Sequence, residues 1–151
     1  MLSTLHTNDA PMAPVRLIDM GIEPFLVATA LECVVAQRLA RRLCEDCRRP
    51  IKITAEALRS NGFEQARGAI NAYEPEGCMR CGGIGFRGRV GLYEVMVISS
   101  ELRSLMLRRA SGDEIAAAAV AAGMRRLRED GLEKVRQGIT SMPEMLRVVG
   151  A

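Results

Sequence analysis

The chain has 151 residues, of which 48% are hydrophobic, and 21 Lys and Arg against 18 Asp and Glu give it a formal net charge of +3. That length fits one ordinary domain, or a piece of a larger protein with a small appended module. The mild charge is typical of a mixed solvated surface and argues against a nucleic-acid-binding arm. No stretch approaches the ~18 apolar residues of a transmembrane helix, and no signal-peptide pattern opens the chain. We therefore expect a soluble, cytosolic protein with reduced thiols.

The first ten residues, MLSTLHTNDA, predict the end of a buried strand followed by a polar turn. Asn8 or Asp9 could cap a helix that has Pro11 in its first turn and ends at Gly21. A second helix is predicted over residues 23–32.

The stretch CVVAQRLARRL changes to β-branched residues with a looser alternation, which predicts a strand from about 34 to 41. A helix running through this stretch is the main alternative, because Ala, Gln, Arg and Leu favour helix. Residues 44–50 are predicted to form a turn closed by Pro50, followed by a short helix that Thr54 caps. Residues 63–77 show no strong period and are predicted to be a connector.

The second half predicts one strand, RVGLYEVMVI, and then only short amphipathic helices from residue 99 onward. Ser99 or Ser100 would cap the first of these helices. Capping boxes, Ser111 with Glu114 and Ser141 with Glu144, would open two others. We expect these helices to form a small bundle.

Four of the five cysteines occur as two C-x2-C pairs, LCEDC and GCMRC. A two-residue gap in a tight turn lets both thiolates of a pair reach one ion, and two such pairs match a tetrahedral zinc site. The predicted zinc ligands are Cys44, Cys47, Cys78 and Cys81. Nearby arginines would offset the negative charge of four thiolates: Arg42, Arg48, Arg49 and Arg80.

The thirty residues between the two pairs exceed the ~15–20 of common zinc ribbons. The intervening residues would therefore form an insertion whose two ends lie at the metal site. A redox dithiol is a competing interpretation, but neither pair has the βαβ context of such sites. A disulfide, or a vestigial site that no longer binds metal, is another competing interpretation of the cysteines. Four protein ligands leave no position for water, so a catalytic zinc is disfavoured. Cys33 has no partner at ligand spacing and is predicted to be buried.

His6 is the only histidine. It follows an apolar stretch, in a loop rich in hydroxyl, amide and carboxylate groups, and open α/β sheets bind ligands at the carboxyl ends of their strands. The loop residues that could hydrogen-bond a phosphate or a nucleophilic water are Thr4, His6, Thr7, Asn8 and Asp9. A structural role for the histidine is the alternative. The sequence contains no GxxxxGK[ST] phosphate-binding motif, and GGIGFRGR reads as a turn after the second cysteine pair.

Four stretches, in order along the whole chain, resemble the C-terminal part of the type II secretion and type IV pilus assembly ATPases. STLHTNDAPMAPVRLIDMG resembles the family's histidine box with the helix after it, and VVAQRLARRLCEDCR resembles its QRLxRxLCxxC run. GCMRCGGIGFRGRVGLYEVM resembles the second cysteine pair with its turn and strand. MRRLREDGLEKVRQGITSMPEMLRVV resembles the final helices. Retraction-type relatives generally lack the cysteine module, which favours the pilus-extension or type II secretion branch.

The resemblance implies an α/β fold, namely the C-terminal remnant of a RecA-like P-loop ATPase domain with a tetracysteine zinc module and a small helical tail. It implies three segments: residues 1–43 of the ATPase core, the zinc module over 44–98, and the helical subdomain over 99–151. The family's histidine box lies near the terminal phosphate of ATP, a role that would fall on His6. Arg38 and Arg41 would lie near the nucleotide or at a subunit interface.

The resemblance also implies structural Zn²⁺ in this chain, and ATP with Mg²⁺ in the full-length family member. The implied partners are full-length subunits in a homo-hexamer, an inner-membrane platform protein and cytoplasmic ring proteins of the secretion or pilus machine. No nucleic acid is expected. The location would be cytoplasmic, peripheral to the inner membrane through those proteins.

One departure from the family pattern is large. The phosphate-binding loop, the Mg²⁺-binding carboxylates and the acidic box precede the histidine box in the family and are not in this sequence. We therefore expect that the chain alone does not hydrolyse ATP. Met1 falls mid-strand where the family usually has Val, which suggests a truncated gene or a contig edge. The alternatives are a stand-alone zinc-ribbon module that binds protein or nucleic acid, and a regulator that enters an ATPase ring as a decoy subunit.

Overall fold

The computed structural model describes residues 1–150 and has a mixed α/β fold. In chain order the elements are α1 (Met12–Asp19), α2 (Pro24–Ala30), β1 (Cys33–Leu43), β2 (Arg49–Ile53), α3 (Ala55–Ser60), β3 (Ile70–Glu74), β4 (Phe86–Val97), α4 (Ser100–Leu107), α5 (Gly112–Ala121), α6 (Leu127–Arg136) and α7 (Met142–Val149). A single 3-10 turn, Met79–Cys81, precedes β4. Strand β1 pairs with β4, and β2 pairs with β3. Within residues 1–150 no helix has the length and apolar character needed to cross a bilayer.

Two compact units make up the chain, and each is assembled from two separate stretches. The first unit contains Met1–Gln37 and Tyr93–Leu127, and the second contains Arg38–Leu92 together with the chain from Arg128 onward. The boundary falls inside both long strands, β1 and β4, so each of these strands contributes residues to both units.

The first unit is a helical layer whose core is aliphatic. Helix α2 packs on α1 and α4, and α4 packs on α5. The side chains buried there include Val27, Met96, Leu102, Met106 and Ile115. With few aromatic residues available, Leu, Ile, Val and Met fill this core.

The helix starts in this unit follow the sequence signals. The Asp9 carboxylate accepts a hydrogen bond from the Met12 backbone N–H at 3.0 Å, as predicted for the start of α1. Ser99 accepts from the N–H of Leu102 at 3.2 Å at the start of α4. The predicted box of Ser111 and Glu114 is complete, with distances of 2.9 and 3.2 Å. The caps at Ser99 and Ser111 confirm that local side-chain chemistry marks the starts of α4 and α5, whereas Pro11, the N-cap residue of α1, has no side-chain cap.

The predicted strand at the beginning of the chain is wrong. Residues 1–7 carry no strand, and residues 1–6 are exposed. No described strand lies beside them, so their backbone groups have no ladder to join. The prediction that Cys33 is buried is also wrong. On β1 the alternation turns Cys33 and Val35 outward, while Ala36 and Ala40 are buried.

The insertion between the two cysteine turns belongs to the second unit and is a small antiparallel pair with a helix between its strands. Ile51 on β2 lies opposite Ala72 on β3, and Pro50 lies opposite Tyr73. Thr54 caps α3 as predicted, accepting from the Ala57 N–H at 3.2 Å. The prediction of a connector over 63–77 is wrong because that stretch contains β3. Pro50 lies within β2, where a strand with a free edge tolerates it.

Helix α7 is attached to β1 by a buried carboxylate. Glu144 is 2% exposed. Its Oε1 accepts from the Arg41 backbone N–H at 2.9 Å, and its Oε2 accepts from the Arg41 guanidinium at 2.8 Å. Arg147 completes the cluster with hydrogen bonds of 2.9 and 2.7 Å to the same carboxylate. The Arg147 guanidinium, with help from Arg41 and against the effect of burial, lowers the pKa of Glu144 to about 2.

Only half of the predicted Ser141–Glu144 capping box forms. The Ser141 hydroxyl accepts from the Glu144 N–H at 3.4 Å. The Glu144 side chain, however, is bound to the two arginines and does not return to the Ser141 backbone. Two charged donors outcompete a single backbone N–H for the same carboxylate.

The substitution Glu144→Gln keeps the shape of the side chain but removes both ion pairs. We expect it to lower the free energy of unfolding by about 2 kcal/mol, since hydrogen bonds to charged groups are lost while Arg41 and Arg147 remain. Urea denaturation at neutral pH measures this. Glu133→Gln, on the solvent-facing side of α6, is the matched control and should change stability by less than about 0.5 kcal/mol. Equal midpoints for the two variants would contradict the role assigned to Glu144.

The cluster of Glu144 with Arg41 and Arg147 also predicts that the free energy of unfolding depends on pH. Because folding lowers the Glu144 pKa to about 2, its stabilisation is full above the ordinary carboxyl pKa and is lost as pH falls through about 2. The difference in unfolding free energy between the native chain and Glu144→Gln should therefore shrink steadily below pH about 4.3. Urea titrations of both proteins at several pH values test this. A difference that stays constant down to the lowest pH would show that the ionised carboxylate is not the source of the stability.

Candidate metal centre and histidine segment

The four predicted zinc ligands meet at one point of the second unit. The sulfur atoms of Cys44, Cys47, Cys78 and Cys81 all lie within 4.8 Å of one another. The measured separations are 3.9 Å from Cys44 to Cys78, 3.9 Å from Cys47 to Cys81 and 3.7 Å from Cys78 to Cys81. A tetrahedral ion with Zn–S bonds of about 2.3 Å places its sulfur ligands about 3.8 Å apart. The cluster therefore has the dimensions of a four-thiolate metal site.

Two tight turns hold these sulfur atoms. The first follows β1, where the Cys44 N–H donates to the Gly85 carbonyl at 2.9 Å and the Arg48 N–H donates to the Cys44 carbonyl at 3.0 Å. The second is the 3-10 turn, which is preceded by Gly77 at φ +111. A Cβ on Gly77 would lie 2.4 Å from the Gly83 carbonyl oxygen. Only glycine fits there, because any side chain would clash with that carbonyl and the backbone has a positive φ.

Backbone amides, not arginines, are the hydrogen-bond donors to the sulfur atoms. The Gly77 N–H donates to Cys47 at 3.3 Å, and Cys81 accepts from the N–H groups of Cys78 and Gly85 at 3.1 and 3.2 Å. Each arginine predicted to offset the thiolate charge has another partner. These pairs are Arg42 with Glu45, Arg48 with the Gly138 carbonyl, Arg49 with Glu74, and Arg80 with Asp46.

The thiols differ widely in acidity because each is crowded differently. Burial raises the pKa of Cys47 to about 12, aided by the neighbouring thiols and opposed by the Gly77 N–H. Burial also acts on Cys81, but the N–H groups of Cys78 and Gly85 outweigh it and lower its pKa to about 6. For Cys44 the backbone hydrogen bond at Asp46 lowers the pKa, yet burial and the Cys78 thiol outweigh it and raise the value. Four crowded thiols resist joint ionisation, and a divalent cation among them removes that resistance.

The predicted phosphate-binding residues lie in the first unit, on what we call the histidine segment, residues 4–9. Thr4, His6 and Asn8 are exposed, and Thr7 is half-buried. Asp9 is also half-buried and holds the start of α1. The segment thus presents an imidazole and polar side chains to its surroundings, while its carboxyl end is fixed.

The two arginines of the QRLxR run belong to the second unit. Arg38 is half-buried. The Arg41 guanidinium lies 4.2 Å from the centroid of the Phe86 ring and is bound to Glu144. Arg41 is therefore committed to partners within its own unit.

Glu94 is a buried polar residue that the sequence reasoning missed. It is 3% exposed, and its carboxylate accepts hydrogen bonds from the backbone N–H groups of Ala10 and Leu127. A signal was present, since Glu94 occupies an inward position of β4 between Leu92 and Met96 in an otherwise apolar alternation.

Comparison with known proteins gives one consistent result. The family model described as type II/IV secretion system protein matches residues 1–147. The type IV pilus assembly ATPase PilB of Acinetobacter baylyi is 44% identical over 151 residues, covering 98% of this chain and 26% of that protein. PilB of Thermus thermophilus is 45% identical over 148 residues, covering 97% of the chain and 16% of that protein.

A type II secretion ATPase is similar to nearly the same extent. The type II secretion system ATPase E of Vibrio cholerae is 42% identical over 148 residues, covering 98% of this chain and 29% of that protein. The chain thus spans less than a third of the length of these relatives. A family match over nearly the whole chain, with the cysteine cluster assembled at metal-binding distances, identifies the chain as a member of the type II/IV secretion system protein family.

Proposed function

We propose that the chain is the C-terminal portion of a hexameric ATPase that powers type IV pilus assembly or type II protein secretion. In that assembly ATP hydrolysis would be coupled to movement of an inner-membrane platform protein. The observation that carries the proposal is the identity of more than two fifths, over nearly all of this chain, to proteins named as ATPases of both machines. Because the chain covers only 26% and 29% of those two proteins, the nucleotide chemistry is assigned to the assembled, longer subunit.

Within this proposal residues 1–43 contribute to a RecA-like core and the histidine segment faces the nucleotide. His6, Thr4, Thr7 and Asn8 would lie near the terminal phosphate of ATP bound with Mg²⁺. The exposure of His6 supports this, because its imidazole is available to a group outside the described chain. Asp9 would act by fixing the segment. The three segments 1–43, 44–98 and 99–151 would correspond to core, zinc module and helical subdomain.

The two arginines receive different roles. Arg38 would lie near the nucleotide or at a subunit interface. Arg41 is bound to Glu144 and stacked on Phe86, so its proposed role is to hold α7 on β1. Any effect of Arg41 on a neighbouring subunit would then act through the position of α7.

We propose Zn²⁺ as the ion of the cysteine cluster. The four-sulfur donor set and the separations of 3.7 to 3.9 Å support zinc. Four protein ligands close the coordination shell, so the ion would stabilise the fold without activating a water. It would join the turn after β1 to the turn before β4 and so fix both ends of the β2–α3–β3 insertion.

Metal analysis tests the zinc assignment. We expect about one zinc per chain, bound by four thiolates. Cys78→Ser should abolish stoichiometric zinc and lower the thermal midpoint, because binding free energy contributes to folding. Cys33→Ser is the matched control, since Cys33 is exposed and lies outside the cluster, and it should retain both. Equal zinc content in the two variants would refute the assigned ligands.

A chimeric ATPase tests the proposed function. The segment of the A. baylyi pilus ATPase that matches this chain at 44% identity is replaced by residues 1–151. We expect the chimera to hydrolyse ATP and restore pilus assembly, and we expect His6→Ala in the chimera to lower turnover by about 10²-fold or more, as for loss of a group that acts in the transition state. The 151-residue chain alone should show only background hydrolysis. A folded, hexameric chimera whose turnover is unchanged by His6→Ala would rule out the role of the histidine, and turnover by the isolated chain would contradict the assignment to the longer subunit.

A further inference from the structure

The first unit contains a buried carboxylate whose partners are two backbone amides. The Glu94 Oε1 accepts from the Ala10 N–H at 2.8 Å, and the Oε2 accepts from the Leu127 N–H at 3.2 Å. The residue is 3% exposed, and the flanking inward residues Leu92 and Met96 are 0% and 1% exposed.

If packing were the only requirement at this inward position of β4, an apolar side chain would be more favourable than a carboxylate. Moving an ionised group out of water is costly unless hydrogen bonds replace its hydration, and an apolar side chain would continue the alternation of β4. What the carboxylate adds is two acceptor oxygens that point at two separate stretches of chain. A glutamine offers only one acceptor oxygen and would present an NH₂ group to the second amide.

The two amides that Glu94 binds lie at the end of the histidine segment and at the start of α6. Ala10 directly follows the histidine segment, and the Asp9 carboxylate next to it already holds the Met12 N–H. Leu127 is the first residue of α6, so its N–H has no partner inside the helix. An anionic acceptor at a helix N-terminus is also favoured by the helix dipole. One side chain thus fixes the end of the histidine segment and the beginning of α6.

We propose that Glu94 is a positioning residue that sets the place of His6 by holding Ala10 close to Glu94's own strand, β4, and to Leu127. A shift of β4 or of Leu127 then moves the anchor of the histidine segment, four residues from the imidazole. The functional meaning of this placement rests on the proposed role of His6 in ATP hydrolysis. The placement itself is a statement about this chain and needs no nucleotide.

Amide hydrogen exchange of the unaltered 151-residue chain, followed by NMR, is the first test. Ala10 precedes α1 in a turn, so without Glu94 its amide would exchange as fast as the neighbouring turn amides. We expect the Ala10 and Leu127 amides to be protected and to share one opening event, with the same response to low urea. An unprotected Ala10 amide, or two amides that open independently, would overturn the proposal.

The substitution Glu94→Gln, compared with Glu144→Gln, is the second test. Glu144 is a matched control because it is an equally buried carboxylate in the other unit. We expect Glu94→Gln to speed exchange at one or both amides by about 10- to 100-fold, and to shift the ring signals of His6, the only imidazole in the chain. Glu144→Gln should leave these signals unchanged. The same His6 spectrum in the native chain and in Glu94→Gln, or equal changes in both variants, would reduce Glu94 to a general stabilising residue.

These measurements separate the two proposals. A chimera whose turnover does not depend on His6 would remove the proposed role of His6 in ATP hydrolysis and leave the exchange results standing. Unperturbed His6 signals in Glu94→Gln would remove the positioning role and leave the proposed ATPase function intact.

Discussion

The second unit depends on bringing together two cysteine turns that are thirty residues apart in sequence. Each turn by itself is short, and the glycines beside the second pair, Gly77, Gly82 and Gly83, widen the range of conformations open to that turn in an unfolded chain. The four sulfur atoms lie within 4.8 Å of one another, and the proposed shared cation would offset the mutual resistance of such crowded thiols to ionisation. The β2–α3–β3 insertion is too small to be stable by burial alone, so closure at its base is the constraint that lets it form.

Arginines then attach this insertion to the helices that follow. The Arg48 guanidinium lies 4.6 Å from the Tyr73 ring centroid and donates to the Gly138 carbonyl. Arg128 of α6 stacks on Phe63 at 5.3 Å and donates to the Asn61 carbonyl. In both cases a planar guanidinium combines an aromatic face with a directed hydrogen bond, which a lysine cannot reproduce. Arginine therefore has structural uses at these positions that lysine could not fill.

Sequence reasoning succeeded where the determining interactions are local. The cysteine spacing and the caps at Ser99 and Ser111 depend on neighbours within a few positions, and the 11 residues of β1 are long enough for an alternation to show. It failed where partners are distant. Strand β3 exists because it pairs with β2, and a five-residue run is too short for its own period to show. The predicted strand at residues 2–5 fails for the converse reason, since no described strand lies beside it.

The two buried glutamates, Glu94 and Glu144, also have partners that sequence patterns do not identify. In the sequence Glu144 matches a capping box, but two arginines, Arg41 and Arg147, take its carboxylate. Glu94 could have been singled out as a charge at an inward position of an apolar strand. Its partners, Ala10 and Leu127, are 84 and 33 residues away, and no local pattern identifies them. Both carboxylates tie a strand to a stretch that is distant in sequence.

The most direct test of the account is X-ray absorption at the zinc edge on the purified chain. The account predicts a first shell of four sulfur atoms at about 2.3 Å, with no nitrogen or oxygen ligand. A first shell that contains nitrogen or oxygen, or a folded chain without bound metal, would contradict it.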